Sequence, residues 1–108
     1  PLTMARMGKL AQAAQSWKQQ LSRNRTKFTV QLEIACQEKT VFEALQLLEY
    51  SQDIIIVPID FKGRSCYRVL YGIYPSTSQG RAAREQLPSQ FLDLPSPPQV
   101  VSITKILQ

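Results

Sequence analysis

From Phe28 to Ile34 apolar and polar residues alternate without a break. Phe28, Val30, Leu32 and Ile34 point one way, and Thr29, Gln31 and Glu33 point the other. A period of two fits a half-buried strand and nothing else of this length. The period then changes. Val41, Ala44, Leu45 and Leu48 recur at spacings of three and four, which predicts a helix over about Lys39 to Ser51. Thr40 is its expected N-cap, with Glu43 three residues on as the capping-box partner. A switch from period two to period 3.6 marks the start of a β-α-β unit.

The remaining segments extend that unit. Ile54 to Ile59 predicts a second strand, apolar on both parities and so covered in part on both sides or set beside the N-terminal helix, and Pro58 assigns it to a sheet edge because proline cannot donate to a ladder. Lys62-Gly63 is a hairpin turn. Strand three runs from Cys66 to Tyr74, with Tyr67, Val69, Tyr71 and Ile73 on one face and Cys66, Arg68, Leu70 and Gly72 on the other. After Pro75, Ser76 caps a further helix with Gln79 at the capping-box position; Ala83 and Leu87 face inward, and Pro88 ends it. A proline-rich loop leads to a last strand from Val100 to about Leu107, with Val101 and Ile103 on one parity. The expected fold is therefore α+β: a ferredoxin/RNP-like βαββαβ domain with a four-stranded antiparallel sheet ordered 4-1-3-2. Two helices cover one face and leave the other free for binding.

An extra amphipathic helix is expected before this unit, from about Leu2 to Asn24, with Met7, Leu10, Ala14, Trp17 and Leu21 on one narrow stripe. The chain thus divides into residues 1–26, a helix or linker, and 27–108, the sheet domain. Met7, Leu10, Trp17 and Leu21 could serve self-association or a protein partner, or the helix could dock on its own domain. The net charge of +5 is concentrated here, in Arg6, Lys9, Lys18, Arg23, Arg25 and Lys27, with no acidic residue among the first 27. The rest of the chain is close to neutral, which argues against a nucleic-acid groove, and no nucleic-acid partner is expected.

Histidine is absent and there are two cysteines. The commonest general base and metal ligand are therefore missing, and two cysteines alone cannot complete a structural zinc site. No catalytic, metal or cofactor residues are expected, and the chain is not read as an enzyme. No apolar run approaches the roughly 20 residues that span a bilayer. Because the chain opens on Pro1, a membrane anchor is expected outside this fragment.

Two segments resemble the SPOR (sporulation-related repeat) family. Phe28-Thr29-Val30-Gln31-Leu32 resembles its first signature, an aromatic followed by x-Val-Gln-aliphatic. Tyr67-Arg68-Val69-Leu70-Tyr71-Gly72-Ile73-Tyr74 resembles its second, a Tyr-Arg-Val-x-x-Gly-x-aromatic strand. The helix from Ser76 to Leu87, Leu87-Pro88 and the closing Val100-Val101 also fit. The resemblance covers about Lys27 to Leu107 and is closest to SPOR domains of Gram-negative cell-division proteins. It implies binding of peptidoglycan glycan strands from which amidases have removed the stem peptides. It also implies a place in the periplasm or cell envelope, at the division septum.

The binding surface so implied is the free sheet face. Gln31 matches the signature glutamine and Arg68 a basic residue of strand three; Thr29, Glu33, Cys66 and Leu70 share their outward parity. Gln31 can donate to and accept from sugar hydroxyls. Arg68 could meet an N-acetyl carbonyl or a carboxylate; a salt bridge to Glu33 across the strands is the plainer reading. The chain departs from the family where Ile34 replaces a small polar residue, where Cys66 stands in place of a tryptophan, and where Ser96-Pro97-Pro98 lacks an aromatic. The alternative is a protein-interaction or oligomerisation module of the same fold with weak or no glycan binding. Cys36 and Cys66 should be near one another, yet continued alternation would point Cys36 inward and Cys66 outward. They are read as two small, partly buried thiols, unless the alternation lapses after Ile34.

Overall fold

The computed structural model describes all 108 residues. The elements are α1 (Leu2–Arg6), α2 (Leu10–Ser22), β1 (Phe28–Ala35), α3 (Glu38–Leu47), β2 (Ile54–Phe61), β3 (Arg64–Tyr74), α4 (Thr77–Arg84), α5 (Ser89–Leu92), β4 (Gln99–Ser102) and α6 (Ile103–Ile106). The four strands form one sheet in the order β2-β3-β1-β4, and every neighbouring pair is antiparallel. This is the expected α+β topology, with β2 at an edge as Pro58 required. Lys62 and Gly63, at φ of 52° and 78°, close the β2–β3 hairpin in the conformation that matches strand twist.

Local details depart from the sequence reading, each for a physical reason. The leading helix is two helices. Gly8 adopts φ of 80°, and the Lys9 N–H reaches back to the Met4 carbonyl while the Gly8 N–H bonds that of Ala5. That is a Schellman stop, which needs a left-handed residue and takes the only glycine in the segment. α3 starts at Glu38 with Gln37 at its N-cap, so Thr40 lies inside the helix and is not the cap. Ser76 does cap α4, its Oγ accepting from the Gln79 N–H. α4 packs through Gly80, where a Cβ would press into Val100; Leu87 is buried as expected, while Ala83 is only partly covered. Pro88 ends one helical stretch and precedes another: α5 buries Phe91 where a loop was expected. β4 ends at Ser102, and Ile103 turns into α6, its N–H bonded to the Lys27 carbonyl while Thr104 Oγ1 donates to the Arg25 carbonyl.

The core determines which surface remains. Val30, Tyr71, Ile54 and Val100 are in register on the face that receives α3 and α4. The expectation that the opposite face is free is corrected at β2. Ile54, Ile55, Ile56 and Val57 are all buried, on both parities, and α2 lies against this strand. Leu10, Ala13, Trp17 and Leu21 join the same apolar cluster as Val41, Leu45, Leu70 and Ile103. Of the uses left open for this stripe, docking on its own domain is the one seen: of Met7, Leu10, Trp17 and Leu21, only Met7 is exposed. α1 packs on α2 and reaches the turn that follows α3, with the Arg6 guanidinium 4.1 Å from the centroid of the Tyr50 ring.

Candidate functional site: the Gln31–Arg68 face

Two irregularities in the β1–β3 pairing decide which side chains reach this face. Between Phe28 and Val30, β3 carries an extra residue. Gly72 takes φ of 76° there, and a Cβ at this position would collide with the Tyr74 side chain, so glycine is required. Thr29 lies opposite this bulge and donates from Oγ1 to the Gly72 carbonyl at 2.7 Å. Its hydroxyl is thereby satisfied inside the protein and its side chain is buried.

Between Gln31 and Glu33 the extra residue is on β1. Gln31 pairs with Leu70 and Glu33 with Val69, which leaves Leu32 as the bulged residue. A one-residue insertion reverses the alternation of everything after it. Gln31 and Ile34 therefore share a face with Leu70 and Arg68, while Glu33 turns toward α3. Burial, and then the nearby Glu43, hold the Glu33 carboxyl above its ordinary range. Arg68 does not bridge to Glu33. Its Nη1 donates to Gln31 Oε1, and its guanidinium is pushed down by burial.

The same reversal explains the cysteines. Past the bulge Ala35 pairs with Tyr67, so Cys36 falls opposite Cys66 on one face, and the objection from parity disappears. The two form a disulfide with Cα atoms 4.1 Å apart, and no free cysteine remains. The reading of two thiols is thus overturned. A disulfide together with the absence of any helix long and apolar enough to cross a membrane is compatible with an extracytoplasmic location.

Of the six expected contact residues, three lie where a ligand cannot reach their side chains. Thr29 is held by the β3 bulge, Cys66 is buried in the disulfide, and Leu70 is buried under the cover that α2 and the core give this part of the sheet. Glu33 has moved to the other face. Gln31 and Arg68 are half-buried and hydrogen-bonded to each other, on the side of the sheet away from α3 and α4. With Gln31 Oε1 engaged by Arg68, the Gln31 amide N–H groups and the other guanidinium N–H groups have no protein acceptor and remain donors for a ligand's oxygens.

One residue escapes the sequence reading. Phe61 ends β2 in register with Arg64, on the parity of Val57 and Ile59, hence on the face of Arg68. It is half-exposed, and Lys62 Nζ lies 5.3 Å from its ring centroid. With Gln31, Ile34, Leu94, Pro95, Pro97 and Gln99 it lines an open groove of about 490 Å³. The period of Ile55, Val57, Ile59 and Phe61 was the available signal, lost by ending the strand at Ile59. A second groove, on the other side of Arg68, lies between Lys18, Val57, Ile59 and Ile106. No cluster of three or more acidic or cysteine side chains is placed to hold a metal.

Glu33 supports a check on this geometry. Its folded pKa is raised, so its contribution to stability is complete below the unfolded carboxyl value and is lost as pH rises through the folded one. Glu33→Gln is therefore expected to be more stable than the parent at neutral pH, with the advantage vanishing in acid. Urea unfolding of both proteins across pH 3 to 7, roughly the carboxyl titration range, measures it; equal stability at neutral pH would contradict the placement of Glu33 beside Glu43.

No known protein-family model matches the chain, and no curated protein does.

Proposed function

We propose that the face carrying Gln31, Arg68 and Phe61 binds peptidoglycan glycan strands freed of their stem peptides, as the resemblance to SPOR domains implies. The domain would then be a non-catalytic binding module of a bacterial cell-envelope or cell-division protein, working in the periplasm at the septum. The observation that carries the reading is the Gln31–Arg68 pair. The two signature positions meet through a hydrogen bond on the side of the sheet away from α3 and α4, each half-buried and each lining an open groove. Phe61 adds the missing aromatic. A sugar ring stacks its C–H groups on a π face, and Phe61 offers one in the groove that Gln31 also lines, in place of the tryptophan absent at Cys66.

Co-sedimentation with insoluble sacculi tests this directly. The domain should pellet with amidase-treated sacculi and much less with intact ones. Phe61→Ala should weaken binding about tenfold, the effect of losing roughly 1.4 kcal/mol of stacking. A domain that stays in the supernatant with both preparations would leave the second reading, a protein-interaction module with weak or no glycan binding. That reading is favoured by the burial of Thr29, Cys66 and Leu70, which removes half of the expected contacts.

A further inference from the structure

β1 is longer than its partner on one side. β3 accompanies it to Ala35, but β4 pairs only with Phe28, Thr29, Val30 and Gln31. Beyond Gln31 the chain before β4 stands away from the sheet. No backbone hydrogen bond joins residues 94–98 to β1. The opening between them is the groove already described. Leu32 to Ala35 therefore has no strand beside it on this side; Leu32 and Ala35 are buried, and Glu33 and Ile34 are the residues solvent reaches. The far wall offers little competition for the strand's peptide groups, since Pro95, Pro97 and Pro98 have no N–H.

The two sides of this edge differ in chemistry. Through the bulge at Leu32, Ile34 looks to the face of Phe61, while Glu33 looks the other way, toward Glu43. Neither carboxylate has a cationic partner: the one ion pair of the protein is Arg84 with Glu85. The edge thus has an apolar side and an anionic side. An added strand presents its own residues alternately to the same two sides.

We infer that the Leu32–Ala35 edge accepts an extended peptide as a fifth strand, one whose apolar residues meet Ile34 and Phe61 and whose alternate residues are Lys or Arg facing Glu33 and Glu43. A second copy of the chain fits poorly as the occupant. Two β1 edges placed together would bring one Glu33 toward the other, and like charges across strands repel. The inference does not depend on glycan binding, because it rests on the free strand edge and its charge and not on the Gln31–Arg68 pair.

The test uses the full chain and a fluorescent, end-blocked heptapeptide of alternating valine and lysine, followed by anisotropy and by amide hydrogen exchange. Saturable binding is expected, with slowed exchange confined to Leu32–Ala35. N-methylation of one alternating set of peptide amides should weaken binding about tenfold or more, while the other set is tolerated, because one set faces the domain. A valine–glutamate peptide should not bind the parent protein but should bind Glu33→Lys. The methylation arm requires no change to the protein, so it stands even if that variant fails to fold. The proposal is overturned by an absence of binding, by equal tolerance of both methylated sets, or by protection that falls on β2 instead. A concentration-dependent dimer with protection at Leu32–Ala35 in the absence of peptide would also overturn it, in favour of a second copy as occupant. Binding of sacculi is measured separately, so either result leaves the glycan reading intact.

Discussion

A chain shortened to residues 27–108 is expected to lose cooperative folding. The deleted helices carry Leu10, Trp17 and Leu21, each buried to 3% exposure or less. Side chains of this kind contribute about 2–3 kcal/mol apiece when buried. Together they approach the whole net stability of a small domain, about 5–15 kcal/mol. Deletion also relieves the cost of ordering two helices, so the net loss is smaller than the gross one. What decides the outcome is the surface left behind. β2 is an edge strand with Ile54 to Val57 buried on both parities, and α2 is the element that lies against it. Uncovering it exposes a flat apolar edge, the usual seed of aggregation. Thermal circular dichroism and sedimentation of the two chains check this. The shortened chain should show no sharp transition, or should associate. Trp17→Ala in the full chain provides a graded version, with a loss of about 3–5 kcal/mol. A shortened chain that melts as a monomer within a few degrees of the parent would support a folding boundary at residue 26, with the first segment a dispensable helix or linker.

That boundary illustrates what sequence patterns can and cannot carry. Element order was legible because its signals are local: the alternation from Phe28, the spacing of Val41, Ala44 and Leu45, the Lys62-Gly63 turn and the Ser76 cap each act within a few residues. The amphipathic stripe of α2 was equally legible. Its partner was legible only as one choice among several, since an apolar stripe is the same whether it meets β2 or another molecule. A hint lay in β2 itself, whose doubly apolar parity demanded cover on two sides. The faces of Glu33, Ile34 and Cys36 were hidden for a different reason. Strict alternation of residue types in β1 conceals a bulge, and no residue between Phe28 and Ile34 announces it. The bulge is a property of the pairing with β3, where Leu32 finds no opposite number. Everything before it kept its expected face, including Gln31; Glu33, Ile34 and Cys36 changed theirs. Thr29 kept its parity and lost its exposure to a carbonyl presented by Gly72, forty-three positions along the chain.

Reduction of Cys36–Cys66 is expected to cost about 3.5 kcal/mol, from the loop entropy that a cross-link over 30 residues removes from the unfolded chain. For a domain of this size that corresponds to a fall in melting temperature of roughly 15–25 °C. The loss should also be local. The bridge ties the end of β1, just beyond the Leu32 bulge, to the start of β3, and the hairpin leading into β3 carries Phe61. Without it the register of Glu33, Ile34 and Ala35 is held by main-chain bonds alone, and a slip would return Glu33 to the face of Arg68. Thermal melts with and without a phosphine reductant measure the global effect. A Cys36→Ala, Cys66→Ala double variant repeats the comparison without reductant, and alanine avoids burying a hydroxyl at position 66, which is 2% exposed. Hydrogen exchange should quicken most at Ile34–Ala35 and around Phe61, and least in the central pairing of Val30 with Tyr71. Unchanged melting in both comparisons, together with two titratable thiols in the denatured, unreduced protein, would show that the strands hold their register without the bridge. The reversal of faces after Leu32 would then belong to the backbone pairing alone.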